Sequence, residues 1–300
     1  MHIHHIVTHN GSFHVDDVFA VATLQLLLGK ENITITRTRD EKTIKNADYV
    51  VDVGERYDHK TNRYDHHQAC APVRENGIPY SAFGLVWSAF GATVSEDEAV
   101  AQLIDEYLVQ YVDAVDNGYE LFTINNTHVY PFTLDDVIDT FTPYGGGGTS
   151  NDEGFLLAVD FAATMLTNLI SDEKVTVRTR KDAEAIFNAH DDRAIVYVEH
   201  PISPSAFSHL PEVMFLIKPR TKEPDTDWIA RAVPLEPRSQ KDRIHFPAAW
   251  AGLRNEELQV ASGIDDAVFC HKQCYIFIAK TKAGATAAAK KALEIPTQET

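Results

Sequence analysis

Residues 64–68 read Tyr64-Asp65-His66-His67-Gln68, a carboxylate followed at once by two imidazoles. Two other stretches carry the same chemistry: His9 with His14, Asp16 and Asp17, and Asp52 at the end of an apolar run. Mixed carboxylate and imidazole ligands suit Mn, Fe, Co, Ni or Zn better than Ca, which prefers oxygen alone. If the three stretches converge, one ion is oversupplied with ligands and two are not. A pair of divalent ions can lower the pKa of a shared water and clamp a phosphoryl oxygen. So many acidic groups brought together without cations would repel one another strongly.

The elements that must bring them together follow from the apolar pattern. Residues 2–9 form a β-branched run closed by Asn10-Gly11, which predicts a first strand in which His2, His4 and His5 are strand residues. A helix, apolar almost all round, follows from Asp16 or Asp17 to Leu28, and strands are predicted at 33–37 and 49–54. Strand, helix, strand, strand implies a mostly parallel, helix-covered sheet, whose ligands sit beyond the carboxyl ends of the strands. His9 and Asp52 fall at those ends. Helices are predicted at 82–90, at 98–115 leading into Asp116-Asn117-Gly118, and at 134–141. The run Gly145-Gly146-Gly147-Gly148 lacks the Lys-Ser/Thr of a phosphate-binding loop and reads as a plain loop. Ser150 with Glu153 predicts a capped helix to about 169, followed by a separate helix at 175–190. Beyond 190, short strands at 194–198, 213–217, 228–233, 267–270 and 275–278 are interleaved with helices at 256–262 and 283–293. The expectation is an α/β protein with domains at 1–190 and 191–300, the second smaller and α+β.

A chain of 300 residues has room for two cores, and 44% apolar with 24% charged residues is ordinary for a globular protein. No apolar run approaches the roughly 18 residues of a membrane span, and no signal pattern opens the chain, so a cytoplasmic protein without a membrane partner is expected. Cys70, Cys270 and Cys274 form no C-x-x-C pair, which fits a reducing compartment. The net charge of −17 argues against broad nucleic-acid binding, because Lys and Arg supply most of that affinity. Any such contact must be local. Residues 212–254 hold eight Lys/Arg against six Asp/Glu. There Arg238, Lys241, Arg243, His245 and Arg254 surround Phe246, Pro247 and Trp250, the composition of a surface for single-stranded nucleic acid. Oligomeric state has no signal in the sequence.

The order His9, His14-x-Asp16, Asp52 after an apolar strand, Asp65-His66-His67, then Asp116 resembles the four-motif signature of the DHH phosphoesterase superfamily, which includes RecJ-type nucleases and manganese-dependent inorganic pyrophosphatases. The phrases Thr8-His9-Asn10-Gly11-Ser12-Phe13-His14, Val50-Val51-Asp52-Val53-Gly54 and Trp250-Ala251-Gly252-Leu253-Arg254-Asn255-Glu256-Glu257-Leu258 are similar to its melanocyte-proliferating-gene (Myg) branch of RNA exonucleases. The resemblance spans nearly the whole chain. It implies a DHH-like first domain with two divalent ions, Mn²⁺ first, with Mg²⁺, Co²⁺ or Zn²⁺ as alternatives. His9, His14 and Asp52 would hold one ion, and Asp16, Asp52, His66 and Asp116 the other. Asp65 would orient the site and His67 would face the phosphate. The implied reaction is release of mononucleotides from single-stranded RNA or short oligonucleotides by a hydroxide held between the ions. Two features depart from the pattern: His14 stands where the superfamily has an Asp, and the paired glycines of the substrate-binding turn are missing near 275–280. Hydrolysis of pyrophosphate or a small phosphoester at the same site is the enzymatic alternative, and a non-catalytic metal- or nucleotide-binding regulator is the other. His2-Ile3-His4 also resembles the H-x-H of barrel-type amidohydrolases, but that fold needs eight strand–helix units and the pattern breaks near 190.

Overall fold

The computed structural model describes residues 2–123, 129–143, 151–199, 202–221, 223, 226–237, 239 and 241–294. The chain divides into two compact units, Met1–Val175 and Thr176–Thr300. In the first unit, β1 (His4–Thr8) leads to α1 (Val15–Leu28), β2 (Ile33–Arg37), α2 (Glu41–Asn46) and β3 (Tyr49–Val51). The short strands β4 (Tyr57–Asp58) and β5 (Arg63–Tyr64) follow, then α3 (Ala82–Ser95) and α4 (Glu98–Ile104). One π-helical turn, Asp105–Val109, joins α4 to α5 (Gln110–Asp116), after which come α6 (Leu134–Asp139) and α7 (Asn151–Asn188).

The first sheet has the order β2-β1-β3-β5-β4, parallel except for the β4–β5 pair. It is an open sheet and not a closed barrel, which removes the amidohydrolase reading. The chain leaves β1 for β2 on one side and returns to β3 on the other, so strand order reverses at the β1–β3 pair. In open α/β sheets, the crevice at such a reversal is where ligands bind. Ile6 and Val7 of β1 and Val50 and Val51 of β3 are fully buried, and α1, buried from Val15 to Gln25, packs on α3.

The structure corrects the expected break near 170. Residues 170–174 contain neither Gly nor Pro, nothing interrupts the hydrogen-bond ladder, and α7 is one helix of 38 residues. By length and composition this helix could span a bilayer, contrary to the expectation from the sequence. Phe155, Ala158, Val159, Ala162, Leu166 and Ile170 nevertheless form a buried stripe at helical spacing, as in a helix packed on a protein core. The division between the units falls inside α7. Ala183 and Phe187, near its end, join Val196, Phe207 and Leu216 in the second unit's core. The glycine run 145–148 and Ser150 of the capping pair lie outside the described residues.

The second unit contains β6 (Ile195–Tyr197), β7 (Phe215–Pro219), β8 (Trp228–Ala232), α8 (Asn255–Ser262), β9 (Ala267–Cys270), β10 (Ile276–Ala279) and α9 (Lys282–Leu293). Its sheet, ordered β6-β7-β8-β10-β9, is antiparallel apart from β6–β7. The expected α+β character is therefore present.

Candidate metal centre

The parallel strands deliver the site residues because β1, β3 and β5 end on the same edge. His9 follows β1, Asp52 follows β3 and Asp65-His66-His67 follows β5. Arg37 on β2 pins the loop after β1 by donating to the Gly11 carbonyl (2.7 Å) and to Asp152 (2.9 Å). Asp52 itself has a left-handed backbone, φ +53, a conformation that Asp tolerates better than most residues. Its N–H donates to Tyr64 O (3.0 Å), which locks the end of β3 to the end of β5.

Asp52 stands at the centre. Its Oδ2 lies 3.2 Å from His9 Nε2, and its Oδ1 lies 3.3 Å from His66 Nε2 and 3.5 Å from His67 Nδ1. His9 Nε2 is also 3.1 Å from Asp17 Oδ2, and His66 Nε2 is 3.4 Å from Asp116 and 3.8 Å from Asp16. Three groups of mutually close ligand atoms result, His9–Asp17–Asp52, Asp52–His66–His67 and Asp16–His66–Asp116, with Asp52 and His66 each in two. His9 Nδ1 lies 3.1 Å from its neighbour's carbonyl, Asn10 O, and that hydrogen bond leaves the neutral ring's Nε2 free to act as a ligand.

Asp65, 1% exposed, accepts the Glu55 N–H (2.5 Å) and the His67 N–H (3.2 Å), and holds His67 Nδ1 at 2.7 Å. That fixes the ring and turns Nε2 outward from a half-exposed side chain. His14 is placed differently from the other candidates. It is exposed, its N–H donates to Asp17 at the start of α1 (2.9 Å), and its ring centroid is 5.9 Å from that of His9. Among the described residues it belongs to none of the clustered ligand groups. Asp17, given no role from the sequence, occupies the place beside His9. The His14-x-x-Asp17 spacing of a helix-capping pair was the available signal.

The electrostatics ask for cations. Burial, and then the charges of Asp52, Asp116 and Asp17, raise the Asp16 carboxyl well above the usual range. Burial likewise pushes Asp116 up to about 6 against the pull of His66. For His9, burial works downward but the contacts with Asp17 and Asp52 outweigh it, and the imidazole is pushed up to about 10. Asp52 is held at about 2, burial being overcome by His66 and His9. Asp16 Oδ1, Asp17 Oδ2 and Asp52 Oδ1 are buried without a well-formed hydrogen bond. Among the described residues, no Lys or Arg pairs with Asp16, Asp17, Asp52 or Asp116. Buried acceptors of this kind, beside imidazoles that must neutralise to act as ligands, fit divalent ions well.

A cavity of about 750 Å³ opens beside the cluster, with Asp52, Asp65 and His67 on one side and Arg39, Lys45 and Arg56 among its other lining residues. No spacing or motif singles out these three cations. Another His/Asp group, His2–His4–Asp48, lies at the opposite, amino end of β1.

The basic candidates of the second unit are placed less simply. Arg243 donates to the Ser208, Leu210 and Val213 carbonyls, so it is committed to holding a loop. Arg254 lies over the Phe269 ring at 4.3 Å. Lys241 and His245 are exposed, and Arg238 lies outside the described residues. Phe246 and Trp250, expected on a nucleic-acid surface, are 2% and 4% exposed and pack with Phe277 in the core, a correction that follows from their large apolar area. Near the missing glycine pair, Asp266 accepts from Thr281 N (2.8 Å) and Thr281 Oγ1 (2.6 Å), and a Cβ at Gly284 would collide with it. A carboxylate of the chain itself therefore occupies the start of α9.

Sheet and cluster together define an α/β protein whose clustered His and Asp groups could hold metal ions. The model of the MYG1 exonuclease family, described as uncharacterised protein family UPF0160, matches residues 5–293, and the chain belongs to that family. It is 30% identical to the MYG1 exonuclease of Homo sapiens over 96% of this chain and 85% of that one. It is 31% identical to the MYG1 protein of Chlamydia trachomatis serovar D over 90% of each. A solved pGpG-specific phosphodiesterase, PggH from Vibrio cholerae, is similar at 14% identity and a TM-score of 0.30 over 97% of each chain, too weak a likeness to carry an argument.

Proposed function

We propose that this protein is a two-metal phosphodiesterase that removes mononucleotides from an end of single-stranded RNA or short oligonucleotides. The observation that carries the proposal is the cluster of four carboxylates and three imidazoles around Asp52, buried at His9, Asp16, Asp17 and Asp52, with no Lys or Arg partner among the described residues for those carboxylates. Relatives named exonuclease support the reaction class. Divalent ions, Mn²⁺ first by ligand type, would be held by His9, Asp16, Asp52, His66 and Asp116, and would supply an activated water and neutralise phosphoryl charge.

The chain's own groups do the rest. Asp52, facing His9 with one oxygen and His66 with the other, would be a ligand common to both groups. Asp17 fixes His9. Asp65 holds His67 by Nδ1, so that Nε2 can meet a phosphate oxygen and steady the charge that develops there. Beyond Asp116 the chain exposes Tyr119, Phe122, Tyr130 and Phe132, with Phe132 74% exposed. Bare aromatic rings stack on bases and have no use for pyrophosphate, which favours an oligonucleotide. The free thiols of Cys70, Cys270 and Cys274 suit a reducing, cytoplasm-like setting.

The test lies within residues 66–67. His66→Ala should lose bound Mn²⁺, whereas His67→Ala should keep the wild-type metal content and lose turnover of an end-labelled oligonucleotide. Equal loss of metal in both would break the division of roles. A wild-type protein that releases no mononucleotide with any of Mn²⁺, Mg²⁺, Co²⁺ or Zn²⁺ would overturn the function.

A further inference from the structure

The cavity beside the cluster has a wall that the reaction centre does not use. Three of its cations arrive from separate elements: Arg39 from the turn after β2, Lys45 from α2, and Arg56 from the turn between β3 and β4. They come together because β2 and β3 both run parallel to β1 and end on the edge that carries Asp52. A fourth, Arg63, is committed to the Thr61, Asn62 and Ala47 carbonyls. Arg56 is committed to Asp58 at 2.5 Å. Among the described residues, Arg39 and Lys45 have no ion-pair partner, although Glu41 and Glu55 also line the space. Two uncommitted cations beside a phosphate-type centre are notable in a chain of net charge −17.

The volume fits the chemistry. About 750 Å³ falls within the 300–1,000 Å³ of pockets that hold small ligands, so there is room for a nucleotide unit beyond the reacting phosphate. Gly54 lines the same wall with φ +97, a backbone conformation that favours glycine. Arg offers a fork that matches phosphate oxygens, and Lys offers a mobile point charge.

We propose that Arg39 and Lys45 hold the phosphate adjacent to the scissile one, which makes this cavity the track for the neighbouring nucleotide of the substrate. The inference rests on the phosphodiesterase reading above and goes further, since it explains how an acidic protein would select a chain of phosphates over a lone ester.

The test compares two substrates of the Mn²⁺-loaded protein: an end-labelled single-stranded oligonucleotide, and bis(p-nitrophenyl) phosphate, which has one phosphate only. In Arg39→Ala/Lys45→Ala, the ratio of oligonucleotide to ester kcat/KM should fall about tenfold or more, carried by KM, and the salt dependence of oligonucleotide KM should flatten by a slope of about one. Arg39→Lys should restore part of the ratio. Metal content and the circular dichroism spectrum, measured on the same samples, show whether the variants fold and load. An unchanged ratio with wild-type oligonucleotide turnover overturns this inference alone. A wild-type protein that hydrolyses neither substrate overturns the function reading, and this inference with it.

Discussion

Two groups of buried aspartates lie close together in the first unit, and the chain treats them in opposite ways. Asp113, fully buried on α5, accepts from Ser81 N (2.9 Å), Ser81 Oγ (2.6 Å) and Arg74 Nε (2.5 Å). Arg74 also forks onto both oxygens of Asp105, at 2.7 and 2.8 Å, and lies over the Tyr80 ring. One helical turn later, Asp116 faces Asp16, Asp52 and His66 with no such cation. At Asp113 the protein supplies an arginine and gives both oxygens a hydrogen-bond donor. Around Asp52 it leaves oxygens bare and sets carboxylates against one another, whereas Asp113, also pushed up by burial, is pulled back by Ser81 and Arg74. A site that is costly when empty is one that a divalent ion could satisfy.

The comparison breaks first at Asp52. Asp52→Asn keeps the shape but removes the charge shared by two ligand groups, so Mn²⁺-dependent turnover should fall by about 10³-fold or more. The melting temperature of the metal-free protein should fall, because the carboxylate that His66 and His9 hold in its charged form is gone. A variant that keeps both turnover and metal would remove Asp52 from the centre.

The paired region should answer the other way. Arg74→Met strands Asp113 in the core and should cost about 3–5 kcal/mol of stability, read by urea unfolding in the presence and absence of Mn²⁺. Mn²⁺ should still raise the melting temperature of whatever fraction folds. A loss of under about 1 kcal/mol would mean that Arg74 is not the neutralising partner. Gly84 belongs to the same design, since a Cβ there would collide with the Asp113 carboxylate. Gly84→Ala should therefore destabilise the protein without altering metal stoichiometry.

The sequence revealed the His and Asp cluster more readily than its surroundings, for physical reasons. β1, β2, β3 and α1 carry strong apolar patterns, and the parallel arrangement then places His9, Asp52 and residues 65–67 on one edge without further information. β4 and β5 are two residues each and have no period to detect. α7 looked like two helices because its apolar stripe weakens at Ser171-Asp172-Glu173-Lys174, yet a polar stretch without Gly or Pro does not end a helix. Arg243 looked free because donors to backbone carbonyls leave no mark in spacing, and Phe246 and Trp250 looked like a surface because composition cannot say which face is inward. Arg39 and Lys45 were invisible for the same reason: their common cavity exists only once β2 and β3 are side by side.

Asp17 sharpens the comparison on a smaller scale. It touches His9 at 3.1 Å and anchors the start of α1, so it is support of the kind Arg74 gives Asp113, but directed at a ligand. Asp17→Asn should weaken Mn²⁺ binding about 10- to 100-fold, measured by calorimetry, with little change in the fold. An unaltered affinity would make Asp17 a helix cap and nothing more.

The smallest effect, and the most diagnostic, is the pH dependence of metal binding. Without metal the His9 imidazole is pushed up to about 10 and the Asp116 carboxyl up to about 6. A cation can take these positions only after the protons leave, so affinity must rise with pH and fall on acidification. Near neutrality Asp116 is already ionised and His9 still holds its proton, which gives a change of about tenfold per pH unit for the ion seated at His9. Below about 6, Asp116 adds its own proton and the dependence steepens. Calorimetry in buffers of different ionisation enthalpy counts the protons released per Mn²⁺. In Asp17→Asn, His9 loses one of the two carboxylates that hold its proton, so fewer protons should be released near neutrality. Affinity that stays flat from about pH 6 to about pH 8, with no proton released, would mean that the bare carboxylates around Asp52 are neutralised by something other than an incoming cation, and the contrast with Arg74 would collapse.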